Sequence, residues 1–221
     1  GTRISAYTAI DRTGLGIYAP SANLGGALDL LADVAQRPAF APEEVARVRN
    51  QQLAGIAQEL TNPNALAGRV VPKLTFGPAH PYAKAFGSGD PKAVGALTRD
   101  DLIAFQRAWL RPEKAKIFVT SDRPLAEVKA ALESRFGGWK GEGAQGVKDF
   151  ATPPVPSAPK IVLIDRPDSP QSLISLALPT NAALGEDHLP LITANDALGG
   201  SFNGRINTEL RENKHWSYGA F

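Results

Sequence analysis

Residues 3–20, "RISAYTAIDRTGLGIYAP", run directly into residues 21–40, "SANLGGALDLLADVAQRPAF", and this junction of two periodicities decides the fold class. The first stretch alternates apolar and polar residues on either side of the turn residues Asp11-Arg12-Thr13-Gly14, which predicts two short antiparallel strands over about 3–9 and 13–19. The second places Leu24, Leu28, Leu31 and Val34 at helical spacing. Ser21 is the candidate N-cap, and Pro38 ends the pattern. A hairpin feeding a helix predicts an α+β protein rather than an all-helical one.

Working outward, residues 42–61 read as a second helix, with Pro42 in its first turn and Glu43 and Glu44 facing the positive end of its dipole. Asn62-Pro63 breaks it, and a third helix is predicted near 64–75. The stretch "GPAHPYAKAFGSGDP" is dense in glycine and proline and predicts a loop without regular structure around His80-Pro81-Tyr82. "LTRDDLIAFQRAWL" (97–110) is a helix with Thr98 as cap and Asp100 and Asp101 in its first turn. "KAKIFVTS" (114–121) reads as a strand, and "PLAEVKAALESRFGGW" as a helix closed by Gly137-Gly138. The order predicts an antiparallel sheet with helices on one face, in a domain over residues 1–143. Composition then shifts to proline and glycine, so 144–158 reads as an extended linker. Beyond it come strands at "KIVLIDRP" (160–167) and "SLISLALP" (172–179) and a helix at "GEDHLPLITANDALGG" (185–200). Residues 159–221 are too few for a large core of their own and read as the start of a second, similar domain.

The chain has 221 residues, 43% of them hydrophobic, and 24 Lys plus Arg against 22 Asp plus Glu, with the two signs interspersed. That charge pattern predicts no nucleic-acid binding. No apolar run approaches the length of a membrane span. The absence of cysteine excludes disulfides and thiolate metal sites and favours the bacterial periplasm over the cytoplasm. A sequence that lacks Met and opens on Gly1 is expected to be a piece of a longer polypeptide.

Few residues are arranged for chemistry. His80, His188 and His215 are scattered with no carboxylate at helical spacing, whereas zinc hydrolysis needs two histidines on one face plus a carboxylate, as in His-x-x-Glu-His. His80 reads as a loop residue, and the other two as solvent-facing. "GGSFNGRI" (199–206) has glycines at phosphate-loop spacing, but Arg205 and Ile206 stand where lysine and a hydroxyl are needed, and a helix precedes it where a strand should be. Gly14-x-Gly16 lacks the third glycine of a dinucleotide fingerprint. At about 100° per residue, Phe202, Ile206 and Leu210 fall within about 80° of one another as a buried stripe, with Arg211 about 140° from its centre. Arg211 therefore points away from its own core and Tyr218 follows seven residues later, in an expected strand.

"LGGSFNGRINTELRENKHWSYGAF" (198–221) resembles the hallmark of the peptidase M16 family, which reads approximately Leu-Gly-Gly-x-Phe-x-Ser-Arg-Leu, then Leu-Arg-Glu, then Gly-x-x-Tyr-Gly. The hairpin and first helix, the stretch from His80 to Asp122, and "FGGWKG" resemble the corresponding parts of that family. The resemblance implies a LuxS/MPP-like metallohydrolase sandwich within a clamshell, one half holding zinc and the other closing a chamber around a peptide. Arg211 and Tyr218 would then bind substrate and stabilise the transition state, with Gly199, Gly200 and Gly204 shaping a chamber loop. The family's third zinc ligand, a glutamate, should fall in "RVRNQQLAGIAQEL" (47–60). Aligning Leu53 and Ile56 puts Gly55 at that position, and glycine offers no oxygen. Shifting the alignment to use Glu59 misplaces both apolar residues, and a glycine in mid-helix is otherwise explained by close helix packing. The resemblance therefore implies a non-catalytic half with no metal ligand and no catalytic residue of its own. It would bind no stoichiometric zinc and cleave no peptide alone, its partner half, fused or separate, supplying zinc and the general base. The alternatives are a structural, assembly-building relative without proteolytic activity, or a truncated catalytic half.

Overall fold

The hairpin forms as its residue pattern requires. β1 (Arg3–Thr8) and β2 (Thr13–Tyr18) pair antiparallel, Ile4 opposite Ile17 and Thr8 opposite Thr13. The Ala9 N–H closes the turn on the Arg12 carbonyl at 2.8 Å. A computed structural model describes residues 1–84, 87–148, 160–180 and 185–221 and divides them into two compact units, Gly1–Leu176 and Ala177–Phe221. Among the described residues β1 and β2 make the sheet by themselves, so the first unit is a mixed fold of helices with a small antiparallel sheet.

In the first unit α1 (Leu24–Gln36) packs against β2 and α7 (Leu125–Phe136), burying Ala27, Leu28, Ala32 and Ala35 on one face. Three of those four are alanines, which lets backbones approach closely. Ser21 does not cap α1 as predicted. It opens a short 3₁₀ turn, Ser21–Asn23, and its hydroxyl donates to Asp122 at 3.3 Å instead. α2 (Pro42–Glu59) starts on the predicted proline and acidic pair. α3 (Pro63–Phe76) is capped by the Asn62 side chain, which accepts from the Asn64 and Ala65 N–H groups, and it carries a buried Pro72 in its interior.

The segment around His80 is not without regular structure: α4 (Pro81–Lys84) forms one helical turn there. Proline at a first helical position needs no donor and has its φ already set, so the residue that suggested a break starts the turn instead. Asp90 caps α5 (Pro91–Ala96), a short helix not foreseen in the sequence, and α6 (Arg99–Trp109) shows the full capping box between Thr98 and Asp101.

Residues 114–121 do not form the predicted strand. They begin in a 3₁₀ turn, Pro112–Lys114, and continue unpaired. An apolar β-prone run becomes a strand only when another strand takes up its backbone groups, and here a cleft of about 2180 Å³ lies between this segment and the hairpin, lined by Ile17 on one side and Phe118 on the other. The predicted strands at 160–167 and 172–179 likewise pair with no strand among the described residues. Of the expected linker, residues 144–148 return to the end of α6: the Gly146 N–H donates to the Ala108 carbonyl at 2.9 Å, and a Cβ at Gly146 would run into the Trp109 ring. Residues 149–158 lie outside the described residues.

In the second unit α8 (His188–Asn195) takes Pro190 into its first turn and continues as a π-helical turn, Asp196–Gly200. A tight turn over 201–204 leads into α9 (Arg205–Asn207), which continues as a second π-helical stretch, Thr208–Asn213. No helix among the described residues is long and apolar enough to cross a membrane.

Candidate functional site

The last 25 residues fold back on themselves, and the way the helix ends explains how. The Lys214 N–H reaches the Glu209 carbonyl at 3.0 Å, and the Trp216 N–H reaches the Leu210 carbonyl at 2.9 Å. His215 between them adopts φ 56°. This is the left-handed reversal that closes many helices, with histidine in the place usually taken by glycine. The His215 ring stays exposed, as predicted, with Nδ1 at 3.0 Å from the Arg211 carbonyl.

The reversal brings Tyr218 to Arg211. The guanidinium carbon of Arg211 lies 4.6 Å from the Phe202 ring centroid and 5.1 Å from that of Tyr218. Its Nε is 3.2 Å from Glu212 Oε1. Two aromatic contacts fix the plane of a guanidinium, whose in-plane N–H groups are what it offers to an acceptor. Tyr218 is 92% exposed, so its hydroxyl is open to a ligand. The sequence placed Phe202 in a buried stripe and Arg211 away from it. Phe202 instead sits half exposed in the turn before α9 and serves as a platform for Arg211. Two features overturn the projection: Phe202 is not helical, and 208–213 winds with i→i+5 bonds, so a constant 100° step does not apply. Nor is Tyr218 in a strand.

Gly199 and Gly200 close the π-helical turn, and Gly204 ends the tight turn that follows it. A Cβ on Gly204 would lie 2.9 Å from the Gly199 Cα and 3.0 Å from the Ser201 carbonyl oxygen. One on Gly199 would press the Ile206 side chain at 3.2 Å, and one on Gly200 would meet Asp196 Oδ1 at 2.5 Å. Close backbone approach therefore accounts for Gly204, whereas at Gly199 and Gly200 the nearest atoms belong to side chains. Asn207, which no sequence signal singled out, is the best buried polar side chain of the turn. Its Nδ2 donates to the Phe202 carbonyl at 2.7 Å, and its Oδ1 accepts from the Ala220 N–H at 3.0 Å. Its partners lie five residues before and thirteen after it, a relation that no periodicity encodes.

The expected metal position does not fit a zinc ion. Gly55 contributes no donor, and open space surrounds the point where its Cβ would be, so close packing does not explain the glycine. The oxygens of Glu59 are engaged elsewhere. They accept from the Ser88 hydroxyl, from the Ser88 N–H at 3.1 Å and from Arg69 Nε at 3.0 Å. The Ser88 hydroxyl and N–H and the Arg69 guanidinium hold the Glu59 carboxyl below the usual carboxylate range. His80 lies in the loop before α4, as read, and is buried there: it stacks on Phe76 and meets Tyr82 edge-on, with its Nδ1 accepting from the Tyr82 N–H at 3.1 Å. His188 is half buried at the start of α8, not solvent-facing. Among the described residues no three His, Asp or Glu side chains converge as a metal site.

Comparison with known proteins gives a consistent result. The family described as "Peptidase M16 inactive domain" matches residues 96–221, and "Insulinase (Peptidase family M16)" matches residues 1–77. The chain is 27% identical over 222 residues to an uncharacterized zinc protease of Mycobacterium leprae, and 26% identical over 226 residues to one of Streptomyces coelicolor. All of the chain is covered in both cases, against 49% and 48% of those proteins, so it spans about half the length of the curated relatives it matches. A crystal structure of a peptidase M16 inactive domain from Pseudomonas fluorescens superposes with a TM-score of 0.70 at 23% identity, covering 99% of this chain and 52% of that one. A protease from Helicobacter pylori superposes with 0.74 at 19% identity, covering 100% and 53%. The first half of the periplasmic protease PqqL from Escherichia coli gives 0.58 at 15% identity, covering 69% and 33%. These structures share its fold, and the match to the inactive-domain model over more than half its length shows that the chain belongs to the peptidase M16 family.

Proposed function

We propose that this chain forms the non-catalytic half of a bacterial M16-type zinc metallopeptidase, enclosing and positioning a peptide while a catalytic half, fused or separate, supplies zinc and the general base. On this reading residues 1–143 are part of one LuxS/MPP-like sandwich domain, 144–158 a linker, and 159–221 the start of a second such domain. A periplasmic setting is supported by the absence of cysteine and by the description of the E. coli neighbour as periplasmic.

The observation that carries the reading is the Phe202–Arg211–Tyr218 cluster, a guanidinium within 4.6 and 5.1 Å of two ring centroids, one of them an exposed phenol. Neither group can hydrolyse a peptide, but both donate hydrogen bonds to a carbonyl or to the oxyanion that develops from it. Preorganised donors of this kind contribute about 3 to 4 kcal/mol to a transition state. Arg211 and Tyr218 are thus substrate-binding and transition-state residues, and Gly199, Gly200 and Gly204 shape the chamber loop beneath them.

The test is Tyr218→Phe in the full protein with its catalytic half, using a mixture of internally quenched peptides. Turnover should fall by about 10²-fold while KM changes little, because the interaction matures in the transition state. Unchanged turnover would reduce Tyr218 to a structural residue and remove the support for this reading.

A further inference from the structure

We propose that Asn207 is the positioning residue of the Arg211–Tyr218 pair, an inference that rests on the functional reading above. Asn207 is fully buried, at 0% exposure, and both ends of its carboxamide are engaged with backbone. The donor end holds the carbonyl of Phe202, whose ring centroid lies 4.6 Å from the Arg211 guanidinium carbon. The acceptor end holds the N–H of Ala220, two residues beyond Tyr218, whose ring also lies against that guanidinium. One side chain thereby ties down both segments that hold the arginine, with no hydrogen bond to Arg211 or Tyr218 itself. The site needs one donor and one acceptor pointing apart, which a carboxamide provides. A carboxylate offers only acceptors, and an aliphatic side chain neither. The Gly199–Gly204 approach closes the turn from the other side, so Phe202 is fixed through its backbone while its ring stays half exposed.

The experiment uses the full protein with its catalytic half, labelled with ¹⁵N-arginine. The Arg211 side-chain resonance is assigned by its loss in Arg211→Lys. In the parent protein it should be shifted upfield by the two rings, and in Asn207→Ala it should move to the position of exposed arginines while the other arginine resonances stay in place. With quenched peptides, Asn207→Ala should lower kcat more than it raises KM, and Asn207→Ala combined with Arg211→Ala should be no slower than Arg211→Ala alone, since a residue acting through the arginine has nothing left to position. If Asn207→Ala does not fold, Asn207→Asp serves in the same measurements, because it keeps the acceptor for Ala220 and loses the donor for Phe202. An unmoved Arg211 resonance, or additive losses in the double variant, overturns the inference. The two ideas fail separately. If Arg211→Ala leaves turnover intact while Asn207→Ala still moves the resonance, the functional reading falls and the geometric role of Asn207 stands.

Discussion

Two glycines that look alike in the sequence ask for opposite treatment. Gly204 has an ordinary φ of −62°, so nothing in its own conformation demands glycine; the neighbouring backbone does, with Gly199 N at 3.1 Å and Gly199 Cα at 2.9 Å from where a Cβ would sit. Backbone cannot rotate aside as a side-chain end can, so Gly204→Ala should destabilise by about 1–3 kcal/mol, the usual cost of overpacking. Gly55 lies in mid-helix with nothing within 4 Å of its absent Cβ. Gly55→Ala should stabilise by about 1 kcal/mol through helix propensity alone. Denaturant titration of the two variants checks both signs, and a stabilising Gly204→Ala would mean that the turn is looser than the structure shows.

At the scale of elements, Glu59 joins the end of α2 to α3 through Arg69 and to the loop at 87–89 through Ser88, while Arg69 Nη1 also donates to the Gly89 carbonyl at 2.7 Å. Removing the carboxylate leaves Arg69 short of its partner, so Glu59→Gln should cost about 1–3 kcal/mol near neutral pH. The pH dependence follows from the direction of its titration. The folded carboxyl is held below its ordinary value, first by Ser88 and then by Arg69, so its contribution is full above the unfolded value of about 4.3 and is lost as pH falls through the folded value. Melting curves between about pH 7 and about pH 3 should show the gap between parent and Glu59→Gln closing on the acid side. A constant gap would sink the assignment. Local order of this kind was the part of the fold that could be read in advance. Thr98 before α6 and Pro42 with its acidic pair act within one turn and start their helices where the sequence puts them, Asn62-Pro63 breaks the helical run between α2 and α3 as read, and Ser21 alone fails as a cap. The runs at 114–121, 160–167 and 172–179 could not be read this way, because strand pairing depends on a neighbour and not on the run itself. The site divides along the same line. The seven-residue separation of Arg211 and Tyr218 is visible in the sequence, whereas their stacking depends on the left-handed His215 and on the distant partners of Asn207.

Over the whole molecule the feature to explain is apolar surface. Ile161, Leu163, Ile174 and Leu176 are each at least 90% exposed, and Phe118 lines an open cleft of about 2180 Å³. Large apolar side chains this exposed mark surface available for association, and among the described residues these β-prone segments pair with no other strand. The chain spans about half the length of the curated relatives it matches. Two measurements on the 221-residue chain follow. It should bind the dye ANS strongly and associate with itself as concentration rises, since both report uncovered apolar surface. Replacing Ile161 and Leu163 together, or Ile174 and Leu176 together, with serine should weaken dye binding yet change stability by no more than about 0.5 kcal/mol, the range of substitutions that remove no burial. The second comparison is decisive because burial and exposure predict different outcomes: covered side chains of this size contribute about 1.5–3 kcal/mol each. A loss of that size in either serine pair would show that these segments are packed in solution, and the apolar surface described here would not exist.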